Sequence, residues 1–254
     1  QLRLVFQPRV DLATRACLGA EVLLRWRHPT FGEVSPGEFM PLVEQTSMSR
    51  AATAWVLEAA LGQLSRWRAA GHALELSVNI SAANLQEHDF AARLQEALVW
   101  HAVPAASLEL ELTESAIMQD AGKALAMLEA IAGAGIRLAI DDFGTGYSSL
   151  AYLQRLPAQV VKVDQSFVRG LVGDERKQSL VTTMASLSHD LGYRVVAEGV
   201  ETEEALRAVT TAGCDEAQGY LFGRPMPAGE FLAWWRESRE RQGQPSPDQR
   251  AAAA

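Results

Sequence analysis

Short apolar runs alternate with longer segments of helical periodicity along most of this 254-residue chain. Runs of about four to eight apolar or β-branched residues predict strands, and apolar residues spaced three and four apart predict helices. The predicted strands are Leu2–Phe6, Leu18–Leu24, Leu74–Ile80, Leu108–Leu112, Ile136–Ile140, Val160–Val163, Arg194–Ala197 and Glu216–Gly219. The predicted helices are Ala52–Trp67, Phe90–Trp100, Gly122–Ala134, Gln178–Leu191, Glu203–Ala212 and Gly229–Arg239.

This alternation predicts a parallel sheet, and roughly eight strands in about 240 residues fit a closed (β/α)8 barrel. The first two strands are joined by Gln7–Cys17, which contains turn-forming residues and no helical pattern. A parallel crossover needs about a dozen residues or more. We therefore predict an α/β, TIM-like barrel in which one of the two early strands runs antiparallel. An open doubly wound sheet is the alternative, although no glycine-rich phosphate loop follows the first strand.

Polar side chains stand at the ends of most predicted strands, which share one face of a barrel, where catalytic residues lie. Single acids at strand ends often cap the next helix, but six strands that carry them together favour a functional site. Asp141 and Asp142 directly follow an apolar run and repel each other unless a cation lies between them. The strand-end residues are Glu21, Arg25, Asn79, Glu111, Glu114, Asp141, Asp142, Lys162, Asp164, Glu198, Glu201 and Gln218.

The candidate metal ligands in this set are oxygen atoms, because it contains neither histidine nor cysteine. Hard oxygen ligands favour Mg²⁺ or Mn²⁺ over zinc or copper. Several carboxylates suffice for two ions, and a bridging aspartate would hold them about 3.5–4 Å apart. Paired divalent ions serve phosphoester hydrolysis because they activate water and stabilise charge on phosphate oxygens. Lys162 would orient the attacking water or act as a base, and Arg25 could bind a phosphate.

Seven strings of residues lie within or directly after predicted strands, in order along the chain: Glu21–Pro29, Ser77–Ser81, Glu111–Glu114, Asp141–Leu150, Lys162–Asp164, Ala197–Glu201 and Gln218–Phe222. Taken together, they resemble the EAL domain family, a bacterial module that hydrolyses cyclic di-GMP. The resemblance extends from Gln7 to about Trp235. It implies a barrel with one antiparallel strand, and two Mg²⁺ or Mn²⁺ ions that act in hydrolysis of one phosphodiester of cyclic di-GMP to linear pGpG.

The resemblance also implies two sets of metal ligands that share Asp141. The first set is Glu21, Asn79, Glu111 and Asp141. The second set is Asp141, Asp142 and Glu198. The residues implied to be catalytic, including those that contact or support the attacking water, are Lys162, Glu198, Glu201 and Glu21.

Nucleotide binding is implied for another group of positions, which comprises Gln7, Leu23, Arg25, Asp164 and Gln218. Glu114 matches the carboxylate that anchors the loop after the fifth strand. This loop, Phe143–Ser149, contains two glycines, which suit a mobile lid.

The chain departs from the family pattern at three positions. Val22 replaces the alanine of the signature, Ser47 replaces a glycine near the nucleotide, and Asn84 replaces a glutamine. The metal-binding positions, the lysine and the loop are intact, which favours an enzyme. The alternative is a receptor module that binds cyclic di-GMP without cleaving it. An unrelated metal-dependent barrel enzyme for a small phosphorylated or carbonyl substrate fits the ordered strings poorly.

The composition, 48% hydrophobic and 21% charged, excludes a disordered chain, and two distant cysteines exclude a disulfide scaffold. The sequence contains no run of about 18 apolar residues, so it predicts no membrane span. The net charge of −8 argues against binding duplex nucleic acid. It does not argue against binding of a nucleotide. Two divalent ions, together with Arg25 and Lys162, would make the electrostatic potential at the strand-end carboxylates favourable for a phosphate.

We expect residues 1–241 to form the EAL domain and residues 242–254, with their prolines and terminal alanines, to form a flexible tail. The chain starts at Gln1, so we expect a domain of a larger cytoplasmic regulator with upstream sensory domains and a possible GGDEF domain. The resemblance further implies a homodimer, with Leu150–Leu156 and Gln165–Leu171 as the candidate surface.

Overall fold

A computed structural model describes residues 1–44, 46, 48–146 and 150–241 of the chain. The expected tail, Ser47 and the last residues of the Phe143–Ser149 loop lie outside these described residues. The strands are β1 (Leu2–Asp11), β2 (Cys17–His28), β3 (Gly32–Val34), β4 (Glu75–Asn79), β5 (Leu108–Thr113), β6 (Arg137–Phe143), β7 (Val160–Val163), β8 (Arg194–Ala197) and β9 (Glu216–Gln218).

The sheet closes into a barrel, because β1 pairs with both β2 and β9. Strand β1 is antiparallel to both of these neighbours, whereas the pairs from β2 and β4 round to β9 are parallel. The small strand β3 adds to the free end of β2. The predicted TIM-like barrel with one antiparallel strand is therefore confirmed, and the open doubly wound sheet is wrong.

The antiparallel strand follows from the short first connection. The segment Gln7–Cys17, expected to be the connection, contributes its first half to β1, and the turn between the strands covers only residues 12–16. This turn is too short for a parallel crossover. It sets a hairpin register in which Gln7 lies opposite Glu21.

Helices surround the barrel, and six of them match the predicted ones within a few residues. The helices are α1 (Pro36–Glu44), α2 (Met48–Ala69), α3 (Ala82–Leu85), α4 (Phe90–Trp100), α5 (Glu114–Met118), α6 (Ala121–Gly133), α7 (Leu150–Leu153), α8 (Gln165–Val168), α9 (Glu175–Asp190), α10 (Glu203–Thr211) and α11 (Ala228–Arg241). None of those in the described part of the chain has both the length and the apolar character that crossing a bilayer requires.

Alternation along the strands separates an apolar core from a polar barrel interior. On β5, Leu108 and Leu110 belong to the apolar cluster that the helices cover, whereas Glu109 and Glu111 are buried with polar partners. Successive side chains of a strand point to opposite faces, so these glutamates point into the barrel. The barrel therefore holds charged side chains in its centre, and these build the site described next.

Candidate active site

Lys162 on β7 lies inside a ring of four carboxylates within the barrel, and its side chain has no exposed surface. Strands β2, β5 and β6 and the residue after β8 each supply one carboxylate. The distances from Lys162 Nζ are 2.7 Å to Glu111 Oε2, 2.7 Å to Glu198 Oε1, 3.2 Å to Asp141 Oδ1 and 3.5 Å to Glu21 Oε2. The structure thus brings together residues that are up to 177 positions apart, from 21 to 198, in the sequence.

A bulge in β6 brings Asp142 to the same site as Asp141. The register with β7 shifts between Ile140 and Phe143, and Asp142 has a φ of 54°. A left-handed backbone at a non-glycine residue is strained, and such strain clusters at functional sites. In a regular strand two successive side chains would face opposite ways. The bulge instead places ligand oxygens of Asp141, Asp142 and Glu198 within 4.8 Å of one another.

Two amide side chains, those of Asn79 and Gln218, hold Glu21 in place, and Gln7 contacts Gln218. Asn79 Nδ2 donates to Glu21 Oε1 at 2.7 Å, and Gln218 Nε2 donates to Glu21 Oε2 at 2.6 Å. Gln218 Nε2 also donates to Gln7 Oε1 at 3.2 Å. Burial raises the pKa of Glu21, but the charge of Lys162 and these hydrogen bonds outweigh burial and leave the pKa lowered. Glu21 is therefore an oriented, ionised carboxylate.

The other carboxylates lack a matching supply of positive charge. Burial raises the pKa of Glu198 to about 7 and that of Glu111 well above its usual range, despite the opposing charge of Lys162. Burial and the neighbouring acids Asp141 and Asp164 raise the pKa of Asp142. Burial and the neighbouring acids thus destabilise the charged forms of Glu111, Asp142 and Glu198.

The donor set fits divalent cations. Four carboxylates around Lys162 and Asp142 beside them carry −5 against +1 when ionised, a sum of −4. Glu111 Oε1 is buried, and its lone pairs accept no hydrogen bond from the described residues. The donors are carboxylate and amide oxygens, the ligands of hard ions. This cluster is suited to bind metal.

A cleft of about 640 Å³ opens beside the carboxylate ring. Its walls come from the end of β2 and from α1, α2, α3 and α5, and Leu23, Arg25 and Asn79 are among the lining residues. Arg25 Nη1 donates to the carbonyl of Leu24 at 2.9 Å, which orients the guanidinium. Burial and nearby Arg3 lower the pKa of Arg25. The predicted nucleotide-binding positions on β2 therefore border a space next to the metal-binding cluster.

Glu114 lies under the start of the loop after β6. It is 3% exposed, and its Oε2 accepts from the backbone N–H of Gly144 at 3.3 Å. A Cβ at Gly146 would lie 2.8 Å from Glu114 Oε1, so glycine permits this close approach. The placement suits the anchoring role that the sequence suggests, although residues 147–149 of the loop lie outside the described part.

Two predicted residues stand further from the lysine. Asp164 accepts from the N–H of Ser166 at 3.0 Å and so caps α8. Glu201 is exposed and approaches Arg169 at 4.0 Å. Among the described residues, neither acid forms an ion pair with Lys162 in this structure, so their expected places beside the lysine and its water remain predictions.

Sequence reasoning missed a second buried charge group below the ring. Arg9 on β1 forms ion pairs with Glu109 on β5 and Glu216 on β9, and all three side chains are at most 5% exposed. A signal was present in the alternation, because Arg9 lies two residues from Gln7, and Glu109 lies two residues from Glu111. Without the barrel, nothing in the sequence joins Arg9 to a glutamate a hundred residues away.

Known proteins share both the sequence and this fold. The chain matches the EAL domain family over residues 1–225. It is 42% identical over 233 residues to a cyclic di-GMP phosphodiesterase of Pseudomonas aeruginosa, which covers 92% of this chain and 40% of that relative. It is also 42% identical to the bifunctional diguanylate cyclase/cyclic di-GMP phosphodiesterase MucR of the same species, over 92% of this chain and 34% of the relative.

Solved structures agree with these sequence matches. The PaMucR phosphodiesterase in complex with c-di-GMP has a TM-score of 0.87 at 42% identity, and the match covers 91% of this chain and 94% of that one. The FimX EAL domain from Pseudomonas aeruginosa bound to c-di-GMP has a TM-score of 0.81 at 27% identity, over 89% of this chain and 90% of that one. The chain spans two fifths or less of the length of the two curated relatives. Family match, barrel and strand-end carboxylates coincide, and the chain belongs to the EAL domain family.

Proposed function

We propose that this domain hydrolyses one phosphodiester bond of cyclic di-GMP to give linear pGpG, with two divalent cations, Mg²⁺ or Mn²⁺, as cofactors. The observation that carries the proposal is the ring of four carboxylates around the fully buried Lys162. Relatives that share 42% of the sequence over most of the chain are named cyclic di-GMP phosphodiesterases. Family membership supports the substrate, and the ring supports the chemistry.

The proposed metal ligands follow the two overlapping sets around Asp141. The first ion would be held by Glu21, Asn79, Glu111 and Asp141. The second ion would be held by Asp141, Asp142 and Glu198. When bound, such ions supply Lewis acidity for a water nucleophile and for the phosphate oxygens. Their +4 would balance the −4 of the five carboxylates and Lys162.

Around the proposed metals, residues of the chain have two tasks: they orient Glu21 and they orient the attacking water. Asn79 and Gln218 donate to the two oxygens of Glu21, so they fix the carboxylate that faces the first ion. Lys162 keeps its charge, because the surrounding carboxylates raise its pKa well above the usual range even though burial lowers it. We propose that its Nζ orients the attacking water as a hydrogen-bond donor.

The nucleotide-binding positions would hold the substrate across the ring. Leu23 and Arg25 line the cleft beside Asn79, where the guanidinium can bind a phosphate oxygen through two N–H groups. The side chains of Gln7 and Gln218 hydrogen-bond to each other, and Gln218 also hydrogen-bonds to Glu21. We propose that Asp164 and Glu201 complete this surface after β7 and β8, and that Glu114 anchors the loop after β6.

The decisive experiment is incubation of the protein with cyclic di-GMP and Mn²⁺, followed by chromatography of the products. We expect pGpG, and none after chelation of the metal. In Glu21→Gln the rate should fall about a hundredfold or more, because one ligand charge is lost. Glu33→Gln is the matched control, since Glu33 is exposed on β3, where it pairs with Arg3. Tight binding without product would instead establish a receptor.

We also propose that residues 1–241 are the phosphodiesterase domain of a larger cytoplasmic regulator with upstream sensory and GGDEF domains. The greater length of the relatives and the double name of MucR support this proposal. We further propose a homodimer through Leu150–Leu156 and Gln165–Leu171. Val172 and Leu180, next to the second segment, are 53% and 43% exposed and would be covered in the dimer. Light scattering on the purified protein tests this assembly.

A further inference from the structure

A second group of buried charges lies inside the barrel, nearer the N-terminal ends of the parallel strands than the carboxylate ring. It consists of Arg9, Glu109 and Glu216, which we call the lower charge layer. Arg9 Nε is 3.0 Å from Glu216 Oε2, and the guanidinium also pairs with the carboxylate of Glu109. These side chains are 5%, 1% and 3% exposed. When both glutamates are ionised, one arginine and two glutamates leave the layer with a net charge of −1.

Partly exposed arginines close the layer from below. Arg137 Nε is 3.7 Å from Glu109 Oε2, and Arg194 Nη2 is 3.2 Å from Glu216 Oε1. Each of these arginines also pairs with an outer acid, Glu75 or Asp11. Solvent screens these outer pairs more than the buried ones. The field that reaches the interior of the barrel therefore comes mainly from the lower charge layer.

Each member of the lower charge layer lies two residues from a residue of the site, on the same strand. Glu109 precedes Glu111 on β5, and Glu216 precedes Gln218 on β9. Two residues along a strand span about 7 Å, so the carboxylate of Glu109 lies directly beneath that of Glu111. The charges interact: Glu109 is among the groups that raise the pKa of Glu111.

We infer that the lower charge layer sets the affinity of the carboxylate ring for divalent cations through its net charge. A charge of −1 beneath the ring attracts cations, and at about 7 Å inside a protein one unit of charge is not screened away. Arg9 limits this charge and holds both glutamates in place. Arg9, Glu109 and Glu216 are thus positioning residues, which act on the metal through the ring and touch neither ion nor substrate. The inference rests on the proposed metal site.

Calorimetric titration of the metal-free protein with Mn²⁺ tests this inference without reference to turnover. In Glu109→Gln the charge of the layer rises from −1 to 0, and we expect Mn²⁺ to bind about tenfold more weakly or worse. Glu216→Gln makes the same change from the other side of Arg9 and should act in the same direction. If Glu109→Gln does not fold, Glu216→Gln replaces it as the test of the charge change.

The double variant Arg9→Met with Glu109→Gln separates charge from packing. It leaves Glu216 as the only charge of the layer, paired with Arg194, so the layer returns to −1. We expect its Mn²⁺ affinity to recover to within about threefold of wild type. Glu58→Gln is the matched control, because Glu58 is an exposed glutamate on helix α2 that contacts His101 outside the barrel and should leave the affinity unchanged.

The outcomes distinguish the inference from the proposed function. A double variant that binds Mn²⁺ no better than Glu109→Gln would overturn the inference, since a purely structural role predicts further loss. Unchanged affinity in both single glutamine variants would overturn it as well, while the metal site stands. Wild-type protein that binds no Mn²⁺ would overturn the proposed function itself, and the inference with it.

Discussion

Replacement of Lys162 by methionine removes the positive charge at the centre of the carboxylate ring and leaves an unbranched side chain that is one heavy atom shorter. Two carboxylate oxygens lie 2.7 Å from its Nζ, and at an effective dielectric constant of about 20 each such contact is worth about 6 kcal/mol before desolvation is subtracted. Desolvation offsets much of this, and removal of one partner from a buried ion pair costs about 3–5 kcal/mol in net stability. We expect the metal-free variant to unfold about 10 °C below wild type.

Thermal unfolding with and without Mn²⁺ measures this effect. Divalent ions replace the missing charge, so saturating Mn²⁺ should stabilise Lys162→Met more than it stabilises wild type. Lys123→Met is the matched control, because Lys123 is largely exposed and its pair with Asp120 is worth less than about 1 kcal/mol. The reasoning about the ring would be refuted if metal-free Lys162→Met were as stable as Lys123→Met. It would also be refuted if Mn²⁺ raised the unfolding temperature of Lys162→Met and of wild type equally.

Two further substitutions address the surroundings of the ring. In Gly146→Ala the new Cβ would lie 2.8 Å from Glu114 Oε1 and displace the loop. We therefore expect turnover at least tenfold lower than in wild type, with the Mn²⁺ affinity nearly unchanged. Gly122→Ala is the control in the same turnover assay, because a Cβ at Gly122 meets nothing within 4 Å. Arg25→Ala should raise the KM for cyclic di-GMP by about tenfold or more through loss of a charged hydrogen-bond donor, while kcat changes less. A KM that stays at the wild-type value would show that Arg25 does not bind the nucleotide.

The barrel could be predicted because its determinants are local. Apolar runs alternate with helical patterns, which predicts the strands and helices of the barrel. The connection after the first strand is too short for a parallel crossover, so the antiparallel strand follows from the length of that connection. Helix α1 was missed because Pro41 lies in its interior, where a proline usually ends or kinks a helix. Strand β3 has three residues, too few for any period to show. Short elements of this kind are held by their neighbours rather than by their own pattern.

The site could be predicted in outline for the same reason. Parallel strands bring their ends to one face, so acids that follow predicted strands are expected to meet there. The bulge at Asp142 could not be predicted, because a left-handed aspartate has no distinct sequence pattern. The same holds for the pairing of Arg9 with Glu109, which depends on the side of the barrel that each strand occupies. Long-range pairs inside the barrel become visible only when the sheet is closed.

The central claim is that the strand-end carboxylates hold two divalent ions that share Asp141. Anomalous diffraction from crystals grown with Mn²⁺ and a non-hydrolysable cyclic di-GMP analogue tests it most directly. We predict two peaks about 3.5–4 Å apart, one beside Glu21 and Glu111 and the other beside Asp142 and Glu198, with Asp141 between them. Well-diffracting crystals with no Mn²⁺ peak at this ring, or with the metal bound elsewhere in the chain, would contradict it.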